Sequence, residues 1–359
     1  QGHLHARAGC GRRAGHAREV RPWRTPMPPA SMSKLMTLEL LFQRLKDGRM
    51  KLTDELPVSE RAWRTQGSKM FVELGTRITV ENLIRGIIIQ SGNDACIVLA
   101  EGMFGTEQAF VAQMNAEAKR LGLVNTQYGT ANGWPDGGVT YTTAKDLAAL
   151  GRATIDETPD LYKKFYSLTQ FTWGKTLGAG ADITQANRNP ILGRIPGADG
   201  IKTGHTDEAG YGFTGSAEQN GRRLVMVVAG IDTFNNRITE SVKFMDWGFK
   251  AWESKPLVAA GKVVEQAEVQ MGSSAKVGLV APRNIAVTLP TGAAANMSIK
   301  VVYDGPIKAP IAKGQHIADL VVSTPDTGEQ IMPLVAEEAV SEAGFFGRVW
   351  AGLMSFFGG

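Results

Sequence analysis

The sequence holds only two cysteines in 359 residues, Cys10 and Cys96, so no disulfide framework organises it. Histidines are equally scarce. Three of the five, His3, His5 and His16, fall in the first 16 residues, and the remaining His205 and His316 are too few for a His/Cys metal centre. No apolar run approaches the roughly 20 residues that span a bilayer, and no secretion signal is visible at the start. Clustered positive charge is missing beyond residue 25. Residues 1–25 carry six Arg and one Glu, which leaves −1 of the total +4 for the rest. That balance argues against nucleic-acid binding. The same 25 residues lack lysine and show neither period 2 nor period 3.6, so they are expected to be anomalous and disordered.

What is present is enough apolar material, 43% of residues, for real cores in a chain long enough for two domains. The stretch Ser31 to Gly48 places Leu35, Leu38, Leu41, Phe42 and Leu45 at helical steps. Few of its positions are charged, so this helix is expected inside the domain. Pro28 and Pro29 precede it and Gly48 ends it. Ser31 and Lys34, three residues apart, share one helical face. In a dry site the lysine loses charge and can take the serine proton. A second Ser-x-x-Lys, Ser273 to Lys276, lies in a turn-like stretch and is assigned no role.

Ser59, Thr79, Thr106 and Thr143 stand where helix caps belong, with Thr143 and Asp146 forming a capping box. Apolar helices are expected around Leu83–Ile89 and, after Gln90-Ser91-Gly92-Asn93, through Ala100. From Gly200 the pattern turns to strands. Asn220-Gly221 marks a hairpin between Tyr211–Ala217 and Arg222–Ile231, and Val242, Met245, Phe249 and Trp252 make a helical stripe to pack on that sheet. Residues 257–336 hold short alternating segments separated by turn signals, which reads as a small all-β domain. At 100° per residue, Phe345, Phe346, Val349, Trp350, Leu353, Met354, Phe356 and Phe357 fill one half-circle of residues 342–357. This reads as an amphipathic helix suited to lie on a membrane surface.

Three motifs occur in one order, Ser31-x-x-Lys34, Ser91-Gly92-Asn93 and Lys202-Thr203-Gly204, spaced by 60 and 111 residues. In that order they resemble the penicillin-recognising serine acyl-transferases. The longer strings Pro29 to Thr37, Ser91 to Cys96 and Lys202 to Thr206 resemble the low-molecular-mass penicillin-binding proteins of the D-alanyl-D-alanine carboxypeptidase type. The resemblance implies an α+β fold in which an antiparallel sheet packs with helices, followed by a β-sandwich domain and a C-terminal amphipathic helix. Expected boundaries are 26–254 for the catalytic domain, 256–337 for the β domain and 341–359 for the helix.

The same resemblance implies the chemistry. Ser31 attacks the carbonyl between the two D-alanines of a peptidoglycan stem peptide, and Lys34 is its base. Ser91 and Lys202 relay the proton, while Asn93 holds the substrate amide and orders Lys34. The N–H groups of Ser31 and His205, beside Gly204, form the oxyanion hole, and Thr203 and Arg237 take the terminal carboxylate. β-Lactams acylate Ser31; no metal or cofactor is implied. The enzyme is expected on the periplasmic face of the bacterial inner membrane, held by residues 342–357.

Other readings exist. His205 as the base of a Ser-His-Asp triad lacks a nucleophile elbow, and Cys96 sits among apolar neighbours like a packed thiol. A β-lactamase or an endopeptidase of the same fold is a near alternative, although the β-lactamase class with Ser-Asp-Asn deacylates with a glutamate. Here residue 92 is Gly, and no equivalent glutamate stands in residues 129–138. A scaffold that binds without turnover rests only on the N-terminus, which lacks the family's usual first strand. A shifted reading frame or misplaced gene start accounts for such a segment.

Overall fold

The computed structural model describes residues 8–10, 19–175, 180–324 and 328–344. These form two compact units that divide between Gly248 and Phe249. Among them, no single helix is long and apolar enough to cross a membrane.

The first unit opens with a short antiparallel ribbon, β1 (Ala8–Cys10) against β2 (Glu19–Arg21). The rest of the segment expected to be disordered, residues 1–7 and 11–18, lies outside the described residues. A ladder asks only for extended backbone, and three-residue strands are too short to display a period. Trp23 and Met27 are also part of the fold. They pack beside Met32, Ala144, Leu147, Val227 and Ala229, and the Trp23 carbonyl accepts the Lys145 N–H. A lone aromatic among arginines gives no sequence signal of such docking.

A 3-10 turn, Ala30–Ser33, feeds helix α1 (Lys34–Lys46). Leu35, Leu38, Leu41 and Phe42 are wholly buried, so α1 runs through the core of this unit. Gly48, at φ +76°, follows its end. Next come β3 (Glu55–Pro57), α2 (Glu60–Arg64), β4 (Arg77–Thr79) and α3 (Val80–Arg85), with β3 paired to β4. A π turn, Gly86–Gln90, leads to Ser91 in the left-handed region and then to α4 (Asn93–Phe104). Helices α5 (Glu107–Arg120), α6 (Ala144–Glu157) and α7 (Pro159–Phe165) follow. Ser59, Thr79, Thr106 and Thr143 cap α2, α3, α5 and α6 as expected, each accepting the N–H three residues ahead. A ribbon of β5 (Gln170–Lys175) and β6 (Asp182–Ala186), which buries Phe171 in the core, has no clear sequence signal.

The sheet of this unit is β7 (Ala198–Thr206), β8 (Gly210–Gln219) and β9 (Arg222–Ile231), antiparallel in that order. Asn220 and Gly221 both have positive φ, as the two-residue hairpin requires. β1 lies beside β9, whereas β7 pairs on one side only among the described residues. Helix α8 (Phe234–Lys250) completes the layer, with Thr233 accepting the Asn236 N–H at its start.

The second unit is all β. Strands β10 (Trp252–Val258), β11 (Val263–Gln270), β12 (Lys276–Val280), β13 (Ile285–Pro290), β14 (Ser298–Val302), β15 (Ile307–Lys308), β16 (His316–Thr324) and β17 (Gly328–Ala336) follow in chain order. Six of them form a sheet ordered β14-β16-β17-β12-β11-β15, and β10 pairs with β13. Leu279, Val287, Leu289, Leu320, Val322 and Leu334 fill its core. Ser341 and Ala343 hydrogen-bond along residues 271–273, so the chain is still extended there and no helix begins at 341. Residues 345–359, which hold the apolar half-circle of the expected helix, lie outside the described residues.

Candidate active site

Ser31 lies in the 3-10 turn and Lys34 begins α1. Lys34 Nζ is 2.6 Å from Ser31 Oγ and donates to the Asn132 carbonyl at 2.9 Å. One helical turn on, the Thr37 hydroxyl donates to the Ala131 carbonyl. The Gly-, Asn- and Pro-rich loop 129–138 is thus stitched to α1 by its backbone. Gly133 has φ +76°, and a Cβ there would fall 1.9 Å from the Ala30 carbonyl oxygen. Ala30 itself has φ +48°, a strained value for a residue with a side chain. The turn bearing Ser31 and the loop bearing Asn132 therefore touch backbone to backbone.

The second motif follows the π turn. Ser91 Oγ accepts a hydrogen bond from Lys202 Nζ at 2.9 Å across 111 residues of sequence. Lys202 Nζ also donates to the Thr203 carbonyl. The serine of each pair thus sits on a turn and meets a lysine ammonium. Gly204, on β7, lies against the Ser31 turn; a Cβ there would come within 2.8 Å of the Pro29 carbonyl oxygen and 3.1 Å of the Met32 nitrogen. The one-sided strand β7 therefore runs directly past Ser31.

Asn93 corrects an expectation. Its side-chain amide donates to the Gln66 carbonyl, and its backbone N–H to the Ser68 carbonyl. The groups that order Lys34 are Ser31 Oγ and the Asn132 carbonyl. The loop that holds Asn93 is itself tied to Asp94, whose carboxylate accepts the N–H groups of Met70, Phe71, Val72 and Ala95. A Cβ at Gly92 would fall 3.0 Å from the Met70 nitrogen. This crowding gives a local reason for Gly where Ser-Asp-Asn enzymes have a side chain.

The site is dry and cationic. Lys34 is fully buried, and desolvation is the main cause that lowers its pKa to about 8; Arg188 adds to the fall, while Cys96 and Asp94 oppose it. Burial likewise holds Lys202 well below its ordinary value, aided by Lys34 and Arg188. About one Lys34 in ten is then uncharged at pH 7. Cys96 is pushed up to about 12, chiefly by burial, and stays a thiol. His205, on the exposed end of β7, is lowered mainly by burial; it stacks on Tyr211.

Arg237 lies in the first turn of α8 rather than in a solvated loop, and it is 3% exposed. Its Nε has no hydrogen-bond partner among the described residues. Burial, then Arg188, lowers it to about 10. Arg188 itself escaped sequence reasoning. It donates to the Gln90 carbonyl and reaches the Ser68 hydroxyl, and its charge is felt by Lys34, Lys202, His205 and Arg237. The Asn187 and Asn189 side chains each accept the N–H two residues ahead, marking the tight turns that carry it. Among the described residues, no carboxylate pairs with Lys34, Lys202, Arg188 or Arg237. Four basic groups, none with a carboxylate at ion-pair distance, make a receptor for an anion.

Comparison with known proteins identifies the family. Residues 21–233 match the family model described as D-alanyl-D-alanine carboxypeptidase. Residues 252–342 match the C-terminal domain of penicillin-binding protein 5. The chain is 37% identical over 339 residues to D-alanyl-D-alanine carboxypeptidase DacC of Escherichia coli (strain K12), covering 92% of this chain and 82% of that protein. It is also 37% identical to DacA of Haemophilus influenzae, over 90% of this chain and 81% of the relative. Among solved structures, penicillin binding protein 5 from Haemophilus influenzae superposes with TM-score 0.81 at 34% identity, covering 91% of this chain and 94% of that one. The chain belongs to the D-alanyl-D-alanine carboxypeptidase family.

Proposed function

We propose that this enzyme removes the terminal D-alanine of peptidoglycan stem peptides through an acyl-enzyme on Ser31. The observation that carries this reading is the desolvated Lys34 amine 2.6 Å from Ser31 Oγ. Neutral Lys34 takes the hydroxyl proton as Oγ attacks the carbonyl between the two D-alanines. The developing oxyanion lies between the N–H groups of Ser31 and His205, and the substrate runs beside the unpaired side of β7. The proton passes by Ser91 and Lys202 to the nitrogen of the departing D-alanine. Asn93, held by Gln66, supports the substrate amide. Thr203 and Arg237 receive the terminal carboxylate, and the unpartnered Arg237 Nε supports this role. Water then hydrolyses the ester. A β-lactam follows the same course as far as the acyl-enzyme.

A fluorescent penicillin should label one residue, and Ser31→Ala should abolish the label together with D-alanine release. Stoichiometric labelling of Ser31→Ala refutes the assignment. Labelling of the wild type without any D-alanine release favours the scaffold reading instead.

The apolar half-circle within residues 342–357 supports a location on the periplasmic face of the inner membrane, with those residues as a surface anchor. Deleting residues 345–359 should then free an active enzyme from membranes. Continued sedimentation of the truncated protein with vesicles overturns the anchor.

A further inference from the structure

Arg237 is gripped by ring faces. Its guanidinium carbon lies 5.4 Å from the ring centroid of Tyr211 and 5.0 Å from that of Phe234. The two rings meet edge to face at 6.3 Å, and Tyr211 stacks on His205 with centroids 3.8 Å apart. One aromatic column thus joins the end of β7, the start of β8 and the first turn of α8. It links the strand end beside the Ser31 turn to the cation at the far side of the site.

The choice of partner matters chemically. An arginine buried at a helix N-terminus faces a helix dipole of like sign and, here, the charge of Arg188. A carboxylate neighbour would relieve both, but it would occupy the N–H fork that a ligand carboxylate needs. Ring faces attract the cation through their quadrupole and accept no in-plane hydrogen bond. They hold the guanidinium still and leave its donors vacant, in keeping with the unpartnered Nε. Phe234 has little packing reason to be aromatic, since 43% of it is exposed.

We propose that Tyr211 and Phe234 form an aromatic clamp that positions Arg237, and that the clamp sets the preference for substrates ending in a free carboxylate over those ending in an amide. The proposal rests on the reading of Arg237 as the receptor of the terminal carboxylate. Tyr211 and Phe234 are positioning residues, acting through Arg237. Phe234 gives the cleaner test, because Tyr211 also supports His205.

The experiment uses the full chain and two substrates, an acylated tripeptide ending in D-alanyl-D-alanine and its C-terminal amide. Phe234→Leu keeps apolar bulk and removes the ring. It should lower kcat/KM on the free acid about three- to tenfold, mostly through KM, and leave the amide unchanged. Phe234→Tyr should restore the wild-type preference. In an Arg237→Ala background, Phe234→Leu should add nothing. Stoichiometric penicillin labelling and an unchanged melting temperature confirm that each variant is folded. Equal loss on both substrates, full additivity with Arg237→Ala, or failure of the tyrosine variant to restore the preference overturns the clamp. If Arg237→Ala keeps the preference for the acid, the carboxylate role of Arg237 fails and the clamp fails with it. If Arg237→Ala abolishes that preference while Phe234→Leu leaves it whole, the clamp alone is wrong.

Discussion

Asp94→Asn isolates the anchor behind the second motif. Asp94 is fully buried, and its two oxygens share four N–H donors, Met70 and Ala95 on Oδ1, Phe71 and Val72 on Oδ2. An asparagine has the same shape but one acceptor oxygen. Whichever way the amide turns, two N–H groups then face an NH2. Hydrogen bonds to a charged group contribute about 1.5–3 kcal/mol each, so losing two costs about 3–6 kcal/mol. Phe71 sits at φ +66°, a strained value that needs this support. The cheapest escape is local release of residues 66–72, which frees Asn93 from the Gln66 carbonyl. The variant should therefore lose amide-exchange protection at Met70, Phe71 and Val72, unfold at lower urea, and lose at least tenfold in kcat/KM. Exchange, urea melts and D-alanine release measure the three effects. Wild-type protection at residues 70–72 together with a wild-type urea transition would refute the anchoring role.

Further predictions concern charge and space. Penicillin acylation should rise about tenfold per pH unit below 8 as Lys34 sheds its proton and then level off; stopped-flow acylation across pH 6–10 checks this, and a flat profile through 8 removes Lys34 as the base. Glu39, buried with Thr154 and Gln43 as donors, has its carboxyl raised mainly by burial. The folded state then holds the proton more tightly than the unfolded chain, so stability is full below the ordinary carboxylate range and falls as pH rises through the window above it. Glu39→Gln should accordingly raise the melting temperature by a few degrees at pH 7.5 and change it little at pH 4, and equal shifts at both values count against the account. Gly133→Ala forces a Cβ into the Ala30 carbonyl and should abolish penicillin labelling even where circular dichroism stays native, whereas Gly138→Ala meets no neighbour, bears only the backbone strain of φ +90°, and should retain labelling at some loss of melting temperature.

The reactive side chains were legible because they come in strings whose order and spacing are informative: Ser31 with Lys34, Ser91 with Asn93, Lys202 with Gly204. Helix starts were legible for a local reason, since the Ser and Thr caps act within three residues. Asn132 was not, because its contribution is a carbonyl, a group that every residue carries. Arg188 was hidden for the opposite reason. An exposed arginine in a polar turn carries no sequence sign that its guanidinium reaches back to the Gln90 carbonyl and the Ser68 hydroxyl. Arg237 was legible through the family strings alone; its burial and its aromatic partners follow from where α8 begins. The β1–β2 ribbon escaped because its pairing is made by backbone in a stretch of uninformative composition. Gly92 departs from the β-lactamase string, and the crowding by Met70 gives that departure a physical cause.

The cluster of basic groups around the site also bears on how the enzyme responds to its surroundings. Lys34, Lys202 and Arg237 are buried and feel one another and the more exposed Arg188, so the unliganded fold is under electrostatic tension that an anion of suitable size relaxes. Simple carboxylates, including the released D-alanine, should protect the protein against heat while slowing its turnover, in proportion to their occupancy. Thermal protection and inhibition then become two readings of one saturation curve. A buffer chosen for its apparent stabilising effect would be, for this protein, a competitive ligand.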